Sequence, residues 1–362
     1  MKFTALREDL MGAVQTVQFS SDSKGMMPIL SGVKIESSEG TLTFYTTDLE
    51  SYTITKSPAN IEEDGECVVN LKIFGDYLKD SSDEKVTVSV VGNEMVLEGE
   101  NSLFKLFTMP PEDFPNSPDV NIPLIEELEV GEFIPAVLKI SKAASKDEKR
   151  PTLLGILLEI ESEELRMVST DSYRLAIKKI KGDFSSSEKG QLIIPSAAMV
   201  NLSRIVGKKE KVCVYRDENK GQIKFAAGDS DYMIRMIEGK FPKYSQFIPE
   251  TMEGMVEVEK EELISALKRV SLISSTIRLK ISEEGVTLIS ESREVGEGSE
   301  KISSNYSGEE INIAFNSRFF EDGVTSIDGD KVVLAISEPL KPGIVKEKEG
   351  EDFMYIIMPI RL

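Results

Sequence analysis

This sequence points to an α+β protein made of three copies of one unit with antiparallel sheet, and three observations carry that expectation. First, GTLTFYTTDLESYTITK (Gly40–Lys56) and EELRMVSTDSYRLAIKK (Glu163–Lys179) are strand-like alternations around a Thr-Asp pair, Thr47-Asp48 and Thr170-Asp171. A degraded third copy, EGVTLISESREVGEGSEKI (Glu284–Ile302), follows roughly one period later. Second, helix-like and strand-then-helix segments recur in the same order in each unit. Third, Phe114-Pro115 and Phe241-Pro242 close the first two units, and MPIRL stands where the third would close.

Each unit opens on an amphipathic helix with an acidic first turn: TALREDLMGAVQTV, EVGEFIPAVLKISKAAS and VEKEELISALKRVS. Each then runs from a short strand into a second helix: VVNLKIFGDYLKD, IIPSAAMVNLSRIV and IAFNSRFFEDGVTSI. Alternating runs separated by turn pieces such as VGNE, DENKGQ and SEEG predict antiparallel pairing between them. The units come to about 120 residues each, with expected domains at 1–120, 121–249 and 250–362. The final run YIIMPIRL predicts a closing strand tied to the rest of its unit.

Composition narrows the function. There is no histidine, which removes His-based triads, most zinc and haem sites, and the commonest general acid–base residue. No phosphate loop and no nucleophile elbow occur, so no catalytic residue, metal or cofactor is expected. A hydrolase built on Asp48 or Asp171 is the enzymatic rival. Recurrence of the Thr-Asp pair favours a turn-forming role, since one active site needs no second copy. Cys67 and Cys213 lack metal or redox spacing and read as buried free thiols. MKFTALRED has no signal-peptide core and no run reaches membrane-span length, so a cytoplasmic protein is expected.

The net charge is −20, which argues against general affinity for nucleic acid or anionic membrane. The helical windows depart from that average. Lys139, Lys142 and Lys146 fall at helical spacing, followed by Lys149 and Arg150. Arg204, Lys208 and Lys209 follow in the second unit, with Lys72 and Lys79 in the first and Lys268 and Arg269 in the third. Together they predict a basic face inside an acidic body, suited to phosphates and not to bases. A repeat-built scaffold that binds proteins but not DNA is the alternative.

The motifs MKFTALRE, PIL (Pro28–Leu30), TDLE (Thr47–Glu50), STDSYRLA (Ser169–Ala176), FPKYSQFIP (Phe241–Pro249) and YIIMPIRL occur in order along the whole chain. In these the sequence resembles the bacterial DNA polymerase III β subunits, the sliding clamps. The resemblance implies three repeated clamp domains, each with two helices packed on antiparallel sheets, and a head-to-tail homodimeric ring around duplex DNA. Implied partners are duplex DNA, the polymerase III α subunit and the clamp-loader δ subunit, with other polymerases, mismatch-repair and ligase proteins docking through linear motifs. No membrane partner is implied, and the protein would work in the cytoplasm on the nucleoid.

By the same resemblance, the dimer contact matches Phe104 and Leu106 against Leu272 and Ile273. A peptide-binding cleft matches Leu153, Thr170, Ser172, Tyr173, Arg174, Leu175, Pro242, Phe247, Asn316, Phe319, Leu340, Pro342, Ile356, Met358, Pro359, Ile360, Arg361 and Leu362. Its apolar walls suit Leu and Phe anchors of a peptide, with Arg174 and Arg361 holding carboxylate or backbone oxygens. DNA contact is expected at Lys24, Lys72, Lys79, Lys139, Lys142, Lys146, Arg150 and Arg204. Ser172-Tyr173, Gln246, Phe247 and a short loop after Ile273 depart from better-known relatives, which bears on peptide preference. Pro151-Thr152 and Ser196-Ala197 depart on the DNA side, where weaker contact is expected.

Overall fold

Alternation and capping in the sequence translate directly into elements. The computed structural model describes residues 1–22, 27–185, 187, 189–249 and 254–361. Helix α1 (Arg7–Val17) carries Glu8 and Asp9 in its first turn and buries Leu10, Ala13, Val14 and Val17, one helical face. The expected start of that helix is a strand instead, Lys2–Leu6, whose alternating burial wins over the helical spacing. Helix α2 (Leu71–Asp80) follows the strand Gly65–Asn70, and the Asn70 side chain caps it by accepting from Ile73 N at 3.0 Å. Helices α3 (Val130–Ser141), α4 (Ser196–Val206), α5 (Lys260–Val270) and α6 (Ser317–Val324) complete the set among the described residues. Asn316 caps α6 as Asn70 caps α2, accepting from Phe319 N at 3.0 Å.

Contacts divide the chain into two compact units. The first comprises Met1–Ile134 and Ala197–Met236. Its described strands form one thirteen-stranded antiparallel sheet, from Ile122–Glu129 at one edge to Asn60–Glu63 at the other. The strand Ser230–Arg235 pairs with Ser51–Pro58, so strands of the central repeat continue the sheet of the first. Phe3, Leu10, Phe44, Phe74 and Leu97 belong to one of its apolar clusters.

The second unit comprises Pro135–Ser196 and Ile237–Leu362. An eight-stranded sheet runs from Gly190–Pro195 to Met255–Glu259, beside a four-stranded sheet from Gly296–Ile302 to Ile311–Asn316. The same device joins repeats here: Phe353–Ile357 pairs with Arg174–Lys181. The closing run is tied down beyond its strand, since Met358 N donates to Tyr173 O (2.8 Å) and Ile360 N to Ala314 O (2.7 Å).

Both cysteines are free thiols. Burial pushes the Cys67 thiol up to about 12, so it is inert at neutral pH. Cys213 is only partly buried, a correction to the expectation, because it alternates to the other face of its strand from buried Val212 and Val214. Among the described residues no helix is long and apolar enough to cross a membrane.

Candidate peptide cleft and nucleic-acid face

The two Thr-Asp pairs build the same turn. Thr47 Oγ1 donates to Ser51 O (2.8 Å) and accepts from Leu49 N (3.0 Å), while Asp48 Oδ1 accepts from Glu50 N (3.1 Å) and Ser51 N (2.6 Å). Thr170 Oγ1 donates to Arg174 O (2.6 Å) and accepts from Ser172 N (3.1 Å). Asp171 Oδ1 accepts from Tyr173 N (2.9 Å) and Arg174 N (3.0 Å). The residue after the aspartate is left-handed each time, Leu49 at φ 73° and Ser172 at φ 81°. That conformation costs a non-glycine residue about 1–2 kcal/mol, and the surrounding side-chain bonds hold it in place. Asp48 and Asp171 thus serve their turns, as their recurrence predicted.

Three residues past the aspartate the turns diverge. Ser51 Oγ donates to Asp48 Oδ1 (3.0 Å) and is hydrogen-bonded to Ser20 Oγ (2.9 Å). Arg174, only 8% exposed, donates from Nε to Asp171 Oδ2 (3.0 Å) and from Nη1 to Tyr355 OH (3.2 Å). It also pairs with Asp322, and its guanidinium lies 4.2 Å from the Phe319 ring centroid. Burial opposes its charge, but Tyr355, Asp322 and Asp171 outweigh burial and raise its pKa. Its charge is already matched by two carboxylates, and it locks the turn to α6. Arg174 also lines the cavity described next, where it is expected to meet a peptide's carboxylate or backbone oxygens.

Around this second turn lies a cavity of ≈ 180 Å³, lined by Thr170, Ser172, Arg174, Leu175, Pro242, Tyr244, Gln246, Phe247, Ile356 and Met358. Tyr244 was missed among the expected cleft residues, whereas Gln246, expected to bear on peptide preference, is on the wall. An aromatic two places after Phe-Pro, with no counterpart after Phe114-Pro115, was the available signal for Tyr244. The other expected cleft residues that the structure describes lie off this cavity wall. Tyr173 and Phe319 meet with ring centroids 6.5 Å apart. Leu153 is buried, Leu340 and Arg361 are exposed, and Pro342, Pro359 and Ile360 are half-buried. Asn316 uses its Oδ1 to cap α6. Leu362 lies outside the described residues.

A related site in the first unit shows why the cavity is open. Strand register places Tyr52 opposite Met233 as Leu175 lies opposite Ile356. There the pocket is only ≈ 130 Å³. Tyr52 reaches across it, its hydroxyl donating to Pro115 O at 2.9 Å and its ring meeting Phe114 edge-on at 6.3 Å. Leucine at 175 leaves that space empty.

The basic residues divide into two kinds. Lys72 and Lys79 are exposed on α2 and border a cavity of ≈ 520 Å³ between α1 and α2. Lys146 and Arg204 are also exposed, the latter with its guanidinium 5.4 Å from the Phe19 ring centroid. Lys139 is not a solvated cation: its side chain is 12% exposed and pairs with Asp328 and Glu347. Lys142 Nζ donates to Thr325 Oγ1 (3.0 Å), and burial lowers its pKa. The expected helical stripe is corrected, because α3 ends at Ser141 and leaves Lys142 and Lys146 beyond it. Arg150 binds Asp147 (2.9 Å) and donates to Ser172 Oγ (2.9 Å), a cavity residue. Lys24 lies outside the described residues.

Family models for the N-terminal, central and C-terminal domains of the DNA polymerase III beta subunit match residues 1–118, 127–243 and 245–361. The chain belongs to the DNA polymerase III beta subunit family. It is 30% identical over 367 residues to the beta sliding clamp of Chlamydia muridarum, covering 100% of this chain and 99% of the relative. The Staphylococcus aureus (strain Mu50) beta sliding clamp is 28% identical over 378 residues, with 100% and 99% covered. Among solved structures, the sliding clamp of Bartonella birtlesii bound to griselimycin superposes with a TM-score of 0.95 at 25% identity, each chain covered in full. The Thermotoga maritima beta subunit gives 0.92 at 26% identity, covering 100% and 99%. The fold is thus the three-domain clamp fold, and the function is that of a sliding clamp, a non-catalytic processivity factor. Family membership brings DNA and a DNA polymerase as partners and the homodimer as assembly.

Within that family frame, two apolar exposures stand out. The strand Leu103–Met109 pairs with Gly65–Asn70 only through Thr108 and Met109, so the edge from Leu103 to Phe107 is unpaired among the described residues. Phe104 is exposed, Leu106 half-buried, and Phe107, which the sequence reading missed, is 83% exposed. Beside them a cavity of ≈ 600 Å³ is rimmed by Asp76, Asp80, Asp83 and Glu100. In the second unit Leu272 is 79% exposed just past α5, with Ile273 half-buried and Lys268 and Arg269 exposed next to it.

Proposed function

We propose that two copies join head to tail, the Phe104–Phe107 edge of one against Leu272 and Ile273 of the other, and close a ring around duplex DNA. The acidic rim at Asp76, Asp80 and Glu100 suits Lys268 of the second copy, and pairing would cover an edge that otherwise invites aggregation. Such a contact is heterologous and closes after two copies. The repeats act as domains at 1–120, 121–249 and 250–362. Exposed Lys72, Lys79, Lys146 and Arg204 neutralise phosphates without reading bases, and Arg150 sits between that task and the cleft. In the cell the ring works on the nucleoid.

The cavity at Thr170–Leu175 receives linear peptides of the polymerase α subunit, the clamp-loader δ subunit, other polymerases, and mismatch-repair and ligase proteins. One observation carries this reading: the cavity is apolar-walled where its repeat-related counterpart is smaller and crossed by Tyr52. Polymerase extension on primed single-stranded circles with the cognate loader tests it. Long products are expected; products no longer than without the protein would leave only the scaffold alternative. Removing residues 358–362 should abolish peptide binding while the dimer mass persists.

A further inference from the structure

We propose that the peptide cleft continues past Tyr244 into a second groove, which takes the flank of the same bound peptide as one apolar side chain and one carboxylate. The inference rests on the cleft reading above and names what the partner must carry beyond its anchors. A second cavity of ≈ 460 Å³ has Ile177, Ile248, Phe353 and Met354 among its walls, with Lys179 and Lys346 at its border. Tyr244 lines both this groove and the cleft. Its hydroxyl donates to Glu159 and accepts from Arg166 Nη1 (3.4 Å), so the divider is fixed.

One apolar cluster lies under both cavities. Leu175, Ile177, Tyr244 and Ile356 belong to it, with Ile248 and Met354 packed against it. In the paired strands Leu175 faces Ile356 beneath the cleft, and Ile177 faces Met354 two residues along beneath the groove. Residues two apart share a sheet face about 7 Å apart, a step that an extended peptide makes in two residues. The two depressions are therefore in register for one chain.

Charge selects the kind of flank. Lys179 lies 3.6 Å from Glu164, and Arg166 is held by Glu159 and Glu164. Lys346, opposite Met354 in the adjoining strand pair, has no ion pair among the described residues. It is the cation left to meet a carboxylate. An apolar floor of Ile177, Ile248, Phe353 and Met354 with a single unpaired cation among the described residues suits an apolar side chain beside one carboxylate, and not a run of phosphates. A bipartite peptide contact gains affinity because the second step is intramolecular.

Fluorescence anisotropy with synthetic peptides on the full-length protein tests this. One short peptide carries only a Leu-Phe anchor pair, and two longer ones add four residues including Leu and Glu at either end. One extension should tighten binding about fivefold or more. Lys346→Glu and Met354→Ala should erase that gain and leave the short peptide unchanged, with thermal melts confirming that both fold. No gain from either extension, or equal weakening of short and long peptides, would overturn the groove. Failure of the short peptide to bind the native protein would instead overturn the cleft and the groove with it.

Discussion

At Thr47–Ser51 and Thr170–Arg174 the chain makes one turn twice, with matching backbone bonds and the same left-handed residue, yet the larger, apolar-walled cavity is at the second. Neutral hydroxyls finish the first region: Ser51 bonds Ser20, Tyr52 bonds Pro115, and Thr55 bonds Ser230 at 2.8 Å. The matching positions of the second are Arg174, Leu175 and Lys178, which bring ion pairs to Asp171, Asp322 and Asp352 and an empty space. Recurrence therefore marks scaffold, and departure from recurrence marks the cavity proposed for peptides.

The sharpest way to break this contrast is at Arg174. Arg174→Ser leaves Asp171 and Asp322 without their buried partner, and urea unfolding should show a loss on the order of 3–5 kcal/mol. Ser51→Ala, at the matching position, should lose only about 1 kcal/mol. Equal losses would mean that the two turns do not differ in kind.

Next in size, Leu175→Tyr should fill the second cavity and weaken anchor-peptide binding tenfold or more in calorimetry, with overpacking limited to about 1–3 kcal/mol. Unchanged binding would move the site elsewhere.

The lysines sharpen the comparison on the nucleic-acid side. Lys79→Ala should lower the log–log salt slope of DNA affinity by about 1. Lys139→Ala should leave that slope unchanged and destabilise the fold, because Lys139 already answers Asp328 and Glu347.

The smallest effect concerns acid. Burial pushes the Asp352 carboxyl up, but the Lys178 hydrogen bond and charge more than offset this and hold it below its ordinary 3.8. A carboxyl with a lowered folded pKa contributes stability above its unfolded pKa and loses it as pH falls through the folded one. Asp352→Asn should flatten that acid limb below about pH 4, whereas Thr55→Val should leave it as it is.

Much of the scaffold was legible along the chain. The Thr-Asp turns, the strand-to-helix junctions capped by Asn70 and Asn316, and the acidic first turns all depend on groups within a few residues of each other. The start of α1 was misplaced because Lys2–Leu6 alternates while adjoining a helical run. The residues around this cavity were reached through family resemblance and not through spacing, since 170–175, 242–247 and 356–358 are far apart in sequence. Tyr244 was missed for the same reason.

What the sequence determined alone is the threefold repeat and its turns, because local hydrogen bonds and side-chain periodicity need no distant partner. Tertiary structure decided which charges stay available. Lys139 meets Asp328 and Lys142 meets Thr325 across most of two repeats, while Lys72 and Lys79 on α2 remain in water. It also decided that Leu175 borders a space that Tyr52 crosses at the related site. Burial and partner charge are properties of folded neighbours, and no pattern within one segment reports them.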